Sequence, residues 1–162
     1  MKARIKYIDG MAFLGESGSG HAVVMDGAPE YGGRNIGIRP MEMLLIGLGG
    51  CTAFDVVQIL HRGRERITDC EIDVTSERAA EDPKVFTSIH LTYRVTGHDL
   101  SPDKVERAIA LSKEKYCSAS IMLGATVTIT HEWSVRSQGA LQGALEGASQ
   151  EALQGASART PA

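Results

Sequence analysis

Two cysteines stand where a thiol could do chemistry. Cys51 follows two glycines in a strongly apolar segment, and Cys117 lies at the end of a segment that begins at Ser101. By position alone Cys51 fits the usual description of a free cysteine, a small buried hydrophobe. Cys117 lies where one helix is expected to end and another to begin. There, free N–H groups of residues 118–120 would stabilise a thiolate.

The remaining cysteine and the histidines give no sign of a reactive or metal-binding site. Cys70 lies on the same strand face as the apolar residues Ile72 and Val74, which predicts a packing role. An odd cysteine count without a CxxC motif argues against a disulfide framework. The five histidines show no metal-ligand spacing with the cysteines, so no metal site is predicted.

Composition narrows the class of protein. Of the 162 residues, 43% are apolar and 23% charged, with a net charge of −3, as in soluble globular proteins. The weak charge argues against a nucleic-acid partner. No signal-peptide pattern and no run of 18 apolar residues occurs, which predicts a cytoplasmic protein without a membrane partner. Residues 138–162 repeat a four-residue pattern of Gln, Gly, Ala and Leu, so the domain is placed at 1–137.

The first third predicts three strands and a helix. Residues 2–8 alternate as a half-buried strand, Asp9-Gly10 makes a hairpin turn, and strands follow at 11–14 and 21–25. A glycine-rich turn at 15–20 separates these two strands. Pro40 begins a helix to about His61 that is apolar nearly all round. Such a helix is expected to be buried on every side, by sheet and by a partner chain.

The rest of the chain predicts a hairpin, helices and a last strand. Segments 67–78 and 85–95 alternate and form a long hairpin, with Val85, Thr87 and Ile89 on one face. Ser101 is placed as the N-cap of a second helix, a short helix follows Cys117, and a strand covers 126–135. The order βββ-α-ββ-α-β, paired by hairpins, predicts an α+β fold with a largely antiparallel sheet.

Two motifs resemble a known family. Pro40-Met41-Glu42-Met43 leads into Gly47-Leu48-Gly49-Gly50-Cys51, and Lys115-Tyr116-Cys117-Ser118 follows about 66 residues after the first cysteine. This pattern resembles the OsmC/Ohr family of osmotically inducible and organic hydroperoxide resistance proteins, and within it the YhfA-like branch. The resemblance covers roughly residues 1–136. It implies an OsmC-like fold with a buried central helix, and a swapped homodimer with its active sites at the subunit interface.

The resemblance also implies a mechanism for oxidative-stress defence. Cys51 would attack a small, preferably organic, hydroperoxide and become a sulfenic acid. Cys117 would condense with it to a disulfide, and an external dithiol would restore both thiols. A sulfenic acid is reversible when a resolving thiol is near, and the cycle needs no cofactor.

The sequence departs from the family pattern beside the first cysteine. Peroxidatic members carry a glutamate ten residues before it, where this chain has Met41; Glu42 lies nine before and is rotated by about 100° on a helix. They also carry an arginine in the early glycine-rich hairpin, which in this chain is Gly15 to His21 and contains none. Glu42, Arg39 and His21 are therefore the candidates for tuning the thiolate. These departures concern the activity rather than the fold.

Plainer interpretations of these residues stay open. Glu42 also fits a first-turn helix carboxylate, Arg39 a solvated loop residue and His21 an exposed strand residue. Asp55, one turn after Cys51, would oppose a thiolate if it faced the sulfur. Two alternatives to the peroxidase therefore remain: a non-enzymatic dimer that binds apolar ligands or exchanges thiols, and an inert homodimer with buried cysteines.

Overall fold

The computed structural model describes residues 1–137, so the predicted tail at 138–162 lies outside the described residues. Two compact units are present, Met1–Leu48 and a second that begins at Gly49. The boundary falls inside a helix of 23 residues, α1 (Pro40–Arg62). Each unit is described by itself.

The first unit holds an antiparallel sheet of β1 (Ala3–Asp9), β2 (Ala12–Ser17) and β3 (Ala22–Met25), in that order. Gly10 has a φ of +57° in the predicted hairpin turn, a conformation that glycine adopts at no steric cost. The predicted turn at 15–20 is too long, because Gly15 and Glu16 pair with β3 and extend β2.

The prediction that the first strand is half-buried is wrong within this chain. β1 forms where expected, but every residue in it is exposed, including Ile5 at 60% and Tyr7 at 59%. A period of two identifies which residues share a face of the strand. It does not determine whether another element covers that face.

A buried carboxylate fixes the loop that leads into α1. Asp26 is 2% exposed, and its side chain accepts N–H hydrogen bonds from Gly27 and Arg34 at 2.8 Å and Ile36 at 3.2 Å. Burial raises the pKa of Asp26, but these hydrogen bonds outweigh burial and hold it below its usual value. The loop before Arg39 is therefore held in one conformation.

The second unit contains β4 (Arg66–Arg78), β5 (Phe86–His98) and β6 (Thr128–Ser137). β4 and β5 are antiparallel, whereas β5 and β6 are parallel. The parallel pair follows from the crossover through α2 (Pro102–Leu111) and α3 (Ser118–Gly124), because parallel neighbours need a long connection. The predicted α+β class with largely antiparallel strands is confirmed.

One predicted strand face is wrong at its start. Val85 lies before β5 and is 53% exposed, whereas Phe86 is only 6% exposed. The register steps from the Glu77–Ser88 pair to the Arg78–Phe86 pair, which leaves Thr87 as an extra residue. A bulge of one residue reverses the alternation, so the predicted face begins only at Ile89.

The apolar helix is present but not buried on every side by this chain. Leu44, Ile46 and Phe54 are 47%, 57% and 67% exposed, and a Cβ at Gly47 or Gly50 would meet no atom within 4 Å. The expectation was burial by sheet and by a partner chain together, so it stays a prediction for this side of the helix. The opposite side of the helix includes Val56 and Leu60, which are buried in the core.

By length and composition alone, α1 could cross a membrane. An 18-residue window has a mean hydropathy of 1.8, and 22% of that window is buried. Core helices of soluble oligomers have the same length and composition. The helix therefore does not by itself identify a membrane protein.

Candidate functional site

The second unit brings together the two cysteines singled out from the sequence. The sulfur atoms of Cys51 and Cys117 and a carboxylate oxygen of Asp55 all lie within 4.8 Å of one another. Cys51 and Asp55 share one face of α1 because residues four apart on a helix are neighbours. Asp55 therefore faces the sulfur, the arrangement that opposes thiolate formation.

The local structure around Cys117 explains its placement. After α2 the chain makes a π-helical turn, Ser112–Tyr116, and Cys117 then serves as the N-cap of α3. Its N–H donates to the carbonyl of Ser112 at 2.8 Å, and its sulfur accepts the N–H of Ser120 at 3.4 Å. The start of a helix just after Cys117 is thus as predicted.

Cys117 is fully buried, and burial raises the pKa of its thiol. The hydrogen bonds from Ser120 lower this pKa and the neighbouring Cys51 raises it, with a net rise. Cys51 is only partly buried. The two thiols therefore differ in accessibility, and Cys51 is the one that a solute can reach.

A chain of buried hydroxyls ends at the site. Thr52 Oγ1 lies 2.9 Å from both the Tyr93 hydroxyl and Ser112 Oγ, and Ser112 Oγ lies 3.0 Å from Asp55 Oδ2. Thr52 and Ser112 have no solvent exposure, and Tyr93 has 3%. The chain therefore joins α1, β5 and the π-helical turn inside the core.

Donor counting fixes the direction of these hydrogen bonds. An ionised carboxylate only accepts, so Ser112 donates its one hydroxyl proton to Asp55. Ser112 must then accept from Thr52, which in turn accepts from Tyr93. Burial raises the pKa of Tyr93, so its phenol keeps the proton that starts the chain.

Sequence reasoning missed most of this network. Thr52 and Asp55 carried a signal, because they are the two polar residues in the otherwise apolar stretch 43–57, one and four positions after Cys51. Tyr93 and Ser112 carried none, since the first fits a strand face and the second a helix end. Their meeting depends on how the sheet and helices pack.

The other predicted site residues belong to the first unit. Arg39 Nη1 pairs with Glu42 Oε1 at 2.8 Å, and the Arg39 N–H donates to Glu42 Oε2 at 2.9 Å. These two hydrogen bonds hold the pKa of Glu42 below its usual value, and the bond from the Arg39 backbone N–H has the larger effect. His21 is exposed, with Nδ1 3.2 Å from Ser19 Oγ. The roles assigned to these three residues stay predictions.

The third cysteine has a different environment. Cys70 is partly buried on β4, and burial, followed by the charge of Asp69, raises its pKa to about 11. A thiol with this pKa is almost wholly protonated at neutral pH, and a protonated thiol is a poor nucleophile. Its surroundings agree with the packing role that the strand pattern predicts.

Comparisons with known proteins agree with this fold. The family model described as OsmC-like protein matches residues 32–132. Protein YhfA of Escherichia coli strain K12 is 50% identical over 138 residues, which span 83% of this chain and 98% of YhfA.

Solved structures are similar over most of the chain. A hypothetical protein from Aquifex aeolicus VF5 is 26% identical with a TM-score of 0.76, over 85% of this chain and 96% of that one. The organic hydroperoxide resistance protein OhrB of Bacillus subtilis is 20% identical with a TM-score of 0.58, over 83% of this chain and 98% of OhrB. This similarity shows the fold alone. Together with the matched family model, these similarities show that the chain belongs to the OsmC-like protein family.

Proposed function

We propose that this protein reduces organic hydroperoxides with Cys51 and Cys117 as a redox pair, as part of peroxide resistance. The observation that carries the proposal is the approach of the two sulfurs to within 4.8 Å in the core of the second unit. Family membership supports it, since OhrB of Bacillus subtilis, which has the same fold, is an organic hydroperoxide resistance protein.

The difference in accessibility between the two sulfurs supports the division of roles. Cys51 is partly exposed and attacks the peroxide, whereas Cys117 is fully buried and resolves the intermediate. Because Cys117 is protonated at neutral pH, it must lose its proton before it can attack. The Asp55 carboxylate, within 4.8 Å of both sulfurs, is placed to accept that proton.

The cycle balances with one peroxide and one dithiol. The Cys51 thiolate attacks the O–O bond, the leaving alkoxide takes a proton as alcohol, and the sulfur becomes a sulfenic acid. Cys117 then forms the S–S bond with Cys51, and water leaves. An external dithiol reduces this disulfide, becomes a disulfide itself and returns both thiols.

A peroxide-consumption assay tests the proposal. We expect the reduced protein to consume tert-butyl hydroperoxide with dithiothreitol as reductant, faster than it consumes hydrogen peroxide. Cys51→Ser should abolish this activity, and Cys117→Ser should block turnover after one oxidation. Cys70→Ser is the matched control and should keep full activity. Equal consumption by wild type and Cys51→Ser would refute the proposal.

The tuning residues are tested in the same assay. Arg39→Ala and His21→Ala each remove a candidate cation, and the one that activates Cys51 should lower the rate of the first oxidation at neutral pH. Glu42→Gln should act through Arg39, its ion-pair partner.

We also propose that the protein is a homodimer whose interface covers the exposed side of α1. Phe54 and Ile46 lie on this helix and are 67% and 57% exposed, and large apolar patches mark interaction surfaces. Phe54→Asp should shift the mass measured by light scattering from dimer to monomer. Val85→Asp, at a residue 53% exposed outside the helix, should leave the mass unchanged. A monomeric wild type would refute the dimer.

One observation favours the non-enzymatic alternative, an OsmC-like dimer for thiol exchange or apolar-ligand binding. The carboxylate of Asp55 lies beside both sulfurs, and a like charge disfavours a thiolate. On this alternative the Cys51–Cys117 disulfide forms slowly in air, while peroxide is not consumed above the rate of free dithiothreitol. Thiols that resist alkylation until the protein unfolds would instead indicate an inert dimer.

A further inference from the structure

The same three groups suggest an activity beyond peroxide reduction. We propose that, when both thiols are reduced, Cys51, Asp55 and Cys117 together bind one thiophilic divalent cation of the zinc class. The proposal does not depend on the peroxidase proposal, although the two share residues. No histidine belongs to this cluster, which is why histidine spacing in the sequence did not indicate it.

The geometry of the cluster suits such an ion. Two of its members sit four residues apart on α1 and chelate from one helix face, while Cys117 comes from the start of α3. Zinc with Zn–S bonds of about 2.3 Å and Zn–O bonds of about 2.0 Å places its tetrahedral ligands about 3.5–3.8 Å apart. The two sulfurs and the carboxylate oxygen lie within 4.8 Å of one another, and small side-chain rotations would bring them to these ligand–ligand distances.

Two of the ligands have the supporting hydrogen bonds that metal ligands usually have. Ser112 donates its hydroxyl proton to Asp55 Oδ2 at 3.0 Å and fixes the orientation of the carboxylate. The backbone N–H of Ser120 donates to the Cys117 sulfur at 3.4 Å, which stabilises a thiolate. The hydroxyl chain from Tyr93 through Thr52 holds Ser112 in turn.

A divalent cation would also compensate the charge of the metal-bound site. With the ion bound, two thiolates and a carboxylate carry three negative charges in a partly buried position. In the described part of the second unit, up to residue 137, no Lys, Arg or His forms an ion pair with Asp55. A divalent ion neutralises two of the three charges and replaces the protons that otherwise hold the thiols neutral.

Three protein ligands leave a fourth position for water or an external thiol, as in catalytic zinc sites. Formation of the Cys51–Cys117 disulfide removes two of the three ligands, because both sulfur atoms are then bonded to each other. Metal binding and the disulfide therefore exclude each other. Oxidation of the site should release the ion.

Cobalt(II) titration of the full chain, reduced, anaerobic and without a polyhistidine tag, tests the site. We expect thiolate-to-cobalt charge-transfer absorption that saturates at one ion per chain and disappears when excess zinc is added. Oxidation with diamide, which takes two electrons and two protons from the thiol pair, should abolish the signal.

Variants separate this site from adventitious binding. Cys51→Ser and Cys117→Ser should abolish the charge-transfer signal, and Asp55→Asn should weaken binding at least tenfold. Ser112→Ala should weaken it by about 10–100-fold, the usual effect of losing an outer hydrogen bond. Cys70→Ser is the matched thiol control and should bind as wild type does.

The wild type alone also decides the question if a variant fails to fold. Zinc should slow alkylation of Cys51 and leave alkylation of Cys70 unchanged. Lack of charge-transfer absorption in the reduced wild type would overturn the proposal, as would an unchanged signal in Cys51→Ser. Either result would leave the peroxide-consumption test unaffected, since that assay contains no metal.

Discussion

The direction of the buried hydroxyl chain makes a prediction about stability. Thr52→Val keeps the shape of the side chain but removes the central hydroxyl. Tyr93 then has a buried O–H with no acceptor, and Ser112 Oγ loses its donor, while all three residues are at most 3% exposed. One unsatisfied buried group costs about 1–3 kcal/mol, and two groups are affected. The substitution should therefore lower the free energy of unfolding by about 2–4 kcal/mol.

Tyr93→Phe should cost less, although it removes a hydroxyl from the same chain. Tyr93 is the first donor, so its loss leaves only one lone pair of Thr52 unpaired and no donor unsatisfied. A hydrogen bond lost in this way costs about 0.5–1.5 kcal/mol. Thr52→Val is therefore predicted to lower the free energy of unfolding more than Tyr93→Phe does. This order follows only if Asp55 is the last acceptor of the chain.

Urea unfolding at one protein concentration measures both effects, because oligomers make stability depend on concentration. The midpoint should fall with an unchanged m-value. Thr75→Val, at an exposed position on β4, is the matched control and should change stability by no more than about 0.5 kcal/mol. A cost for Tyr93→Phe equal to or above that of Thr52→Val would refute the assigned direction.

Three further predictions concern the core, a close backbone contact and the third cysteine. Leu91→Ala, at 2% exposure, should lower the free energy of unfolding by about 2–5 kcal/mol in the same urea assay. Gly97→Ala would place a Cβ 2.3 Å from the Arg66 carbonyl oxygen and should cost about 1–3 kcal/mol; Gly124→Ala, whose Cβ would meet its nearest atom at 3.9 Å, should cost much less. The pKa of Cys70 is raised from 9.0 to about 11 by folding, so its contribution to stability is complete below pH 9 and is lost as pH rises through 11. Urea midpoints at about pH 8 and pH 10 should therefore fall more in wild type than in Cys70→Ala; an equal fall would contradict the burial of this thiol.

Local signals explain why much of the fold was predictable. Pro40 marks the first residue of α1, the Asp9-Gly10 pair marks a turn with a positive φ, and the alternation of β4 follows its burial. The helix start after Cys117 was also predictable, since few residues separate the signal from the structure. The OsmC-like family was predictable because its motifs surround both cysteines.

Interpretation failed where the outcome depends on distant contacts. The bulge at Thr87 reverses a strand face without a local signal, and the exposure of β1 depends on what covers its sheet. The roles of Glu42 and Arg39 also stay predictions, since sequence spacing gives their rotation on a helix but not their surroundings.

The sequence by itself determined the helices, most strands and which two cysteines are candidates for chemistry, because propensity, periodicity and turn chemistry act over a few residues. Only the tertiary structure decided that Asp55 faces both sulfurs and that hydroxyls 41 and 60 residues from Thr52 meet it in the core. Such meetings depend on strand register and on the crossover between β5 and β6. Those features are fixed by the packing of the whole unit, and no local pattern encodes them.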